Sequence, residues 1–169
     1  MSRAEKIFSG LDRVGRTGED AVLVIILTSM ILLAASQIFL RNFLNIGFIW
    51  SDELLRMLVL WIAVAGGVAA SRSDKHINIA ILDRYLPGRL KLAVKVLTHF
   101  FTAAICGLVT WHSVQFVQTS HEFGDVLMGT VPAWIPQLVL PVGFGLICYR
   151  YSLFVFVDLL RLLKGERLP

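Results

Sequence analysis

Residues 21–40, "AVLVIILTSMILLAASQIFL", run for twenty positions without one charged side chain. As a helix rising about 1.5 Å per residue, they span about 30 Å, one hydrocarbon thickness. No soluble core needs so long an uninterrupted run. Three further apolar stretches follow. The pattern predicts an all-α integral membrane protein with transmembrane helices over about 21–41, 48–71, 92–118 and 132–160. Composition agrees: 56% of the 169 residues are hydrophobic and only 17% charged, where soluble domains carry about a quarter. Ala21–Leu40 is too long for a cleavable leader's apolar core, so a retained signal-anchor helix is expected. Gln37 and Arg41 lie one turn apart at its exit. One domain over 1–169 is expected, with no internal repeat.

Short amphipathic segments flank these helices. Within 1–20, Ile7, Leu11 and Val14 share a helical face, while Gly10, Gly15 and Gly18 weaken the helix. The segment reads either as an interfacial helix on the membrane surface or as a solvated tail. In 76–86, Ile77, Ile81 and Tyr85 recur at helical spacing before Pro87-Gly88, which suggests a second interfacial helix.

The net charge of +4 does not indicate nucleic acid, since no aromatic-interleaved basic patch accompanies it. It follows membrane topology instead. Arg3, Lys6, Arg13 and Arg16 lie in the N-terminal tail. Arg72, Lys75, Arg84, Arg89 and Lys91 lie in the central loop, and Arg161, Lys164 and Arg167 near the C-terminus. The other two loops hold only Arg41 against Asp52, Glu53, Glu122 and Asp125. The positive-inside rule then places both termini and the central loop in the cytoplasm.

The entry to the second helix, "NIGFIWSDELLRMLVLW", concentrates polar chemistry at the rim of an apolar run. Asp52–Arg56 is an i, i+4 pair and Glu53–Arg56 an i, i+3 pair, so Arg56 can snorkel outward to either acid. Ser51 or Asp52 can cap the helix, the acids suit its positive end, and Trp50 fits an interfacial belt. A capped helix entry, a polar contact to a partner subunit and an ion pathway all remain open on these grounds. Deeper in, Ala63, Gly66, Gly67 and Ala70 form a small-residue strip suited to close helix packing.

Other chemistries find less support. His99 and His112 are thirteen residues apart, a spacing that can stack two haems, but the other three helices hold no matching histidines. Cys106 and Cys148 are far apart inside apolar segments and read as packing residues. Proton-coupled transport wants an embedded carboxylate; none is evident deep in the helices. Pro132 and Pro136 suit a helix start, and Pro141 should kink the fourth helix because it cannot donate to the Gln137 carbonyl. No catalytic residue, cofactor or metal site is expected, and no enzyme. A small electron carrier or haem protein and a homo-oligomeric four-helix transporter are the alternatives to a supporting subunit.

The segment "RNFLNIGFIWSDELLRMLVLWIAVAGGVAASRSDKHINI" resembles the small, DctQ-like membrane subunit of tripartite ATP-independent periplasmic (TRAP) transporters. The resemblance rests on Arg41-Asn42, Gly47, Trp50-Ser51 with Asp52 and Glu53, Arg56, Trp61, Gly66-Gly67 and His76-Ile77. It covers about residues 37–86, and the second half matches in topology alone. One departure is Asn78-Ile79-Ala80 after the His-Ile pair, where many members carry an acid; Asp83 comes later. The resemblance implies a bacterial inner-membrane scaffold subunit, unfused and 1:1 with a large permease subunit. That large subunit would carry out sodium-driven uptake of an organic acid delivered by a periplasmic binding protein. It further implies that Arg41, Trp50, Ser51, Asp52, Glu53, Arg56 and Trp61 serve a subunit interface at the helix 2 entry. His76 and Ile77 would mark a cytoplasmic loop motif. Glu122 and Asp125 face the periplasm in this topology and could touch the binding protein. Membrane lipids are the remaining expected partners.

Overall fold

The computed structural model describes residues 3–44, 49–72 and 88–163, with side chains for 17–44, 50–72, 90 and 92–162. Helix α1 covers Arg3–Phe39 and passes into a π-helical stretch, Leu40–Leu44. Then come α2 (Ile49–Ala70), α3 (Gly88–Glu122), β1 (Val126–Leu127), β2 (Val131–Pro132), α4 (Trp134–Gln137) and α5 (Val139–Leu163). Among the described residues, four stretches are long and apolar enough to cross a membrane: Thr17–Leu44, Trp50–Ala70, Leu92–Glu122 and Trp134–Leu162. The expected interfacial helix at 76–86, with His76 and Ile77, and the Gly47 turn lie outside the described residues.

The helical boundaries differ from expectation at three places. The chain is already helical at Arg3 and continues unbroken to Phe39, so 3–20 extends the first span as one helix. Once the apolar span has nucleated a helix, each further residue needs only propagation, and an interior glycine costs about 1 kcal/mol. The third helix runs on to Glu122. The fourth span is interrupted at Leu138, between α4 and α5. This break lies about one turn before Pro141, next to the Gln137 carbonyl that Pro141 cannot serve. Leu138 N–H is shared between the carbonyls of Trp134 (3.2 Å) and Ile135 (3.3 Å).

The chain divides into two compact units, Met1–Ala69 with Val117–Val139, and Ala70–Phe116 with Leu140–Pro169. In the first, α3 ends on a left-handed glycine, Gly124 (φ 65°). Asp125 N–H reaches Ser120 O at 3.1 Å and Gly124 N–H reaches His121 O at 3.3 Å, which together satisfy the last carbonyls of the helix. A hairpin follows in place of an irregular loop, with Val126 opposite Pro132 and Leu127 opposite Val131. Its turn uses two left-handed residues, Met128 (φ 53°) and Gly129 (φ 77°), the geometry that matches strand twist. Buried here are Ser51, Val64, Val68, Val117, Ser120, Ala133, Pro136 and Gln137.

In the second unit, α3 packs on α5. Cys148 Sγ–H donates to Ala103 O at 3.4 Å. A Cβ on Gly107 would lie 3.5 Å from Cys148 Sγ, and one on Gly145 would lie 3.6 Å from Thr110 Cγ2. Small residues at a helix contact let the backbones approach, which is what drives association in lipid. Leu92, His99, Tyr151 and Asp158 are buried. Large apolar side chains are exposed along every span, as a chain solvated by lipid tails requires.

Candidate functional site: the helix 2 entry and its partners

The rim of α2 is built by three polar contacts inside the first unit. Gln37 Nε2 donates to Asp52 Oδ1 at 2.6 Å, tying α1 to α2. Glu53 Oε2 accepts the backbone N–H of Met128 at 2.6 Å, tying α2 to the hairpin. Two turns deeper, Trp61 Nε1–H donates to the Pro136 carbonyl at 2.9 Å. Ser51 is buried and Trp50 exposed. Asp52 lies in the first turn of α2, where a carboxylate complements the positive end of the helix.

The expected pairing of Arg56 with these acids is not what the structure shows. Among the described residues no ion pair joins Arg56 to Asp52 or Glu53, and Arg56 is exposed. The physical reason is one of magnitude. An exposed intrahelical ion pair is worth a few tenths of a kcal/mol. A carboxylate accepting a part-buried backbone N–H is worth about 1.5–3 kcal/mol. Arg41 is likewise exposed, in the π-helical stretch beside the stacked rings of Phe39 and Phe43, 4.7 Å apart.

The small-residue strip also behaves differently from expectation. Ala63, Gly67 and Ala70 are exposed, and a Cβ on Gly66 would meet nothing within 4 Å. Among the described residues, Gly66 is therefore not a point of close approach between helices. Val64 and Val68, the buried positions of α2 beside this strip, lie about 100° further round the helix, and Ser71 just beyond α2 is buried too. Ser71 accepts a hydrogen bond from Arg150 Nη1 at 3.2 Å in the second unit.

Glu122 and Asp125 are exposed where α3 ends. Asp125 Oδ2 accepts from Ser120 Oγ at 3.2 Å, and its carbonyl accepts from Ala133 N–H at 2.8 Å. It therefore closes the hairpin as well as facing outward. Beside it an open crevice of about 400 Å³ is lined by Val117, Gln118, His121, Glu122 and Trp134.

No acid is expected deep in the helices, but one near the end of the fourth span is buried within the protein. Asp158 is 4% exposed and lies within the fourth span. Its Oδ2 is 3.1 Å from His99 Nδ1, and its Oδ1 is 3.7 Å from Arg161 Nη1. Tyr151 and Phe154 rings pack on the imidazole at 5.7 and 5.6 Å. His112 is exposed, so the two histidines do not share an environment. The available signal was periodicity: Tyr151 and Asp158 are seven apart on one helical face, as are Leu92 and His99. Among the described residues no group of three His, Cys, Asp or Glu could hold a metal ion.

Residues 30–164 match the DctQ component of tripartite ATP-independent periplasmic transporters. The chain belongs to this family. It is similar to the sialic acid TRAP transporter small permease protein SiaQ of Vibrio cholerae, with 25% identity over 147 residues, covering 87% of this chain and 84% of that protein. It is similar to the C4-dicarboxylate TRAP transporter small permease protein DctQ of Rhodobacter capsulatus, with 23% identity over 124 residues, covering 73% and 55%. A third relative is the isethionate TRAP transporter permease protein DctMQ of Oleidesulfovibrio alaskensis, at 25% identity over 103 residues. That match covers 60% of this chain but only 16% of DctMQ. This DctQ-family chain is thus a TRAP transporter component and not an enzyme. It is a multi-pass protein of the bacterial inner membrane. Family membership implies a large membrane subunit and a substrate-binding protein as its partners.

Proposed function

We propose that this chain is a scaffold subunit that binds a large permease subunit one to one. The large subunit performs sodium-driven uptake of an organic acid delivered by a periplasmic binding protein. The observation that carries this reading is the DctMQ relative. There the counterpart of this chain is about a sixth of one longer polypeptide, so the two parts are made at equal stoichiometry. The names of the three relatives mention sialic acid, isethionate and C4-dicarboxylate, all acids that are anionic at neutral pH. Both termini and the central loop face the cytoplasm in this reading, from the distribution of lysine and arginine. The α2 entry then lies at the periplasmic rim, with Glu122 and Asp125 on the same side, where a binding protein docks. Substrate choice resides in the other two components.

The test is co-expression with a tagged large permease subunit. The chain should co-purify at equal stoichiometry. Liposomes holding both subunits should take up the acid only with a sodium gradient and the loaded binding protein. Uptake by this chain alone, or by the large subunit at full rate without it, would reject the reading.

A further inference from the structure

The third span ends at Glu122 and the fourth begins at Trp134. Between these ends the crevice of about 400 Å³ holds polar side chains beside the buried Val117. Gln118 and Glu122 are one turn apart on α3, about 5–6 Å between Cβ atoms, with His121 next to Glu122. All three are exposed. Among the described residues no hydrogen bond or ion pair engages their side chains. Trp134 of α4 meets the His121 ring edge-on, with centroids 5.4 Å apart and planes at 71°. The local charge is one-sided: no lysine or arginine occurs between Lys95 and Arg150, while Glu122 and Asp125 both lie there. Phe123, Val126 and Ile135 are exposed around the same end. Two span ends, a tryptophan and exposed apolar neighbours put the crevice at the level of lipid headgroups.

We propose that this crevice binds the headgroup of a phospholipid that carries a primary ammonium beside its phosphate, of the phosphatidylethanolamine type. The Glu122 carboxylate accepts charge-assisted hydrogen bonds from the ammonium, and the face of Trp134 attracts the same cation. The Gln118 amide and the His121 ring N–H donate to the phosphate oxygens. An ethylene unit alone separates the two charges of such a headgroup, which matches an acceptor and a donor one helical turn apart. An anionic headgroup without an ammonium meets the carboxylate with no compensating cation. A lysine side chain serves the acceptor but leaves both donors idle. A lipid is favoured over a free solute because the membrane holds its headgroup at this level, at high effective concentration. The inference concerns this chain's own surface and does not depend on the scaffold reading.

The experiment compares lipids on the full-length chain purified in detergent. Native mass spectrometry measures retention of phosphatidylethanolamine and of phosphatidylglycerol. The first should be retained about tenfold more tightly, the scale of one charge-assisted contact. Soluble phosphoethanolamine at the same concentration should not displace it. Glu122→Gln should remove the preference, Glu122→Lys should invert it, and Trp134→Leu should weaken it. Asp20→Lys makes the same charge change at an exposed site in the first span and should leave it unchanged. Circular dichroism checks folding, and Glu122→Gln with Trp134→Leu decide if Glu122→Lys does not fold. Equal retention of the two lipids by the wild type overturns the proposal. So does a preference that survives Glu122→Gln and Trp134→Leu, or one that Asp20→Lys shifts as much as Glu122→Lys. Displacement by soluble phosphoethanolamine gives the crevice to a free solute. A lipid held by the isolated chain but absent from its complex with the large subunit gives it to that subunit. Either result overturns the lipid assignment.

Discussion

His99 Nδ1 and Asp158 Oδ2 meet 3.1 Å apart, with side chains 1% and 5% exposed, joining α3 to α5 within two apolar spans. Both groups have left water, and each is the other's nearest compensation. Breaking a buried pair by removing one member costs about 3–5 kcal/mol, whereas replacing both by apolar residues is far milder. Asp158→Leu or His99→Leu should therefore lower thermal stability in detergent more than the double variant does. A double-mutant cycle checks this. Strictly additive losses would show that the two side chains do not couple.

Glu53 supports a backbone position that a methionine adopts reluctantly. Met128 has φ 53°, and a left-handed conformation costs a non-glycine residue roughly 1–2 kcal/mol. Its N–H is held by the Glu53 carboxylate. Glu53→Ala should cost about 1.5–3 kcal/mol and speed amide exchange across 126–132. The same change made together with Met128→Gly should open the hairpin less, because glycine needs no help to hold that angle. Unchanged exchange in Glu53→Ala would remove the role assigned to the carboxylate.

Trp61 caps a carbonyl next to the break in the fourth span. Its indole N–H reaches Pro136 O at 2.9 Å across 75 residues of sequence. A carbonyl in lipid surroundings has no water to turn to. Trp61→Phe keeps most of the ring's bulk and deletes the donor, so about 1 kcal/mol should be lost. Thermal unfolding measures it, and a wild-type midpoint would show that the bond contributes nothing net.

What could be read from the sequence was whatever repeats within one helix. Charge-free runs located four spans, and the order of Trp50, Asp52, Glu53, Arg56 and Trp61 carried the family resemblance. Partners chosen across the fold were hidden. Arg56 is within helical reach of both acids, yet Asp52 pairs with Gln37 and Glu53 with Met128, 15 and 75 residues away. Helical spacing shows which side chains can meet on one helix, but not which donors another element brings closer. The burial of Asp158 was hidden for the same reason: it depends on the register of α5 against α3. Pro141 was legible because its effect is local, in the missing N–H.

The glycines separate by what surrounds them, and this can be measured. The Gly66 strip looked like the close-packed one, yet a Cβ there meets nothing within 4 Å. In the isolated chain Gly66→Ala should be neutral or stabilising by up to about 1 kcal/mol, because alanine is the better helix former. Gly107 and Gly145 face atoms at 3.5 and 3.6 Å from the added Cβ. Alanine fits there at ordinary contact distance, but leucine would push α3 from α5 at a cost of about 1–3 kcal/mol. Gly107→Leu should thus lower the unfolding midpoint where Gly66→Leu does not. If Gly66→Leu alone impairs recovery of the complex with the large subunit, the exposed strip is a surface that the partner covers. Equal tolerance at both sites, alone and in complex, would show that neither glycine is a point of close approach.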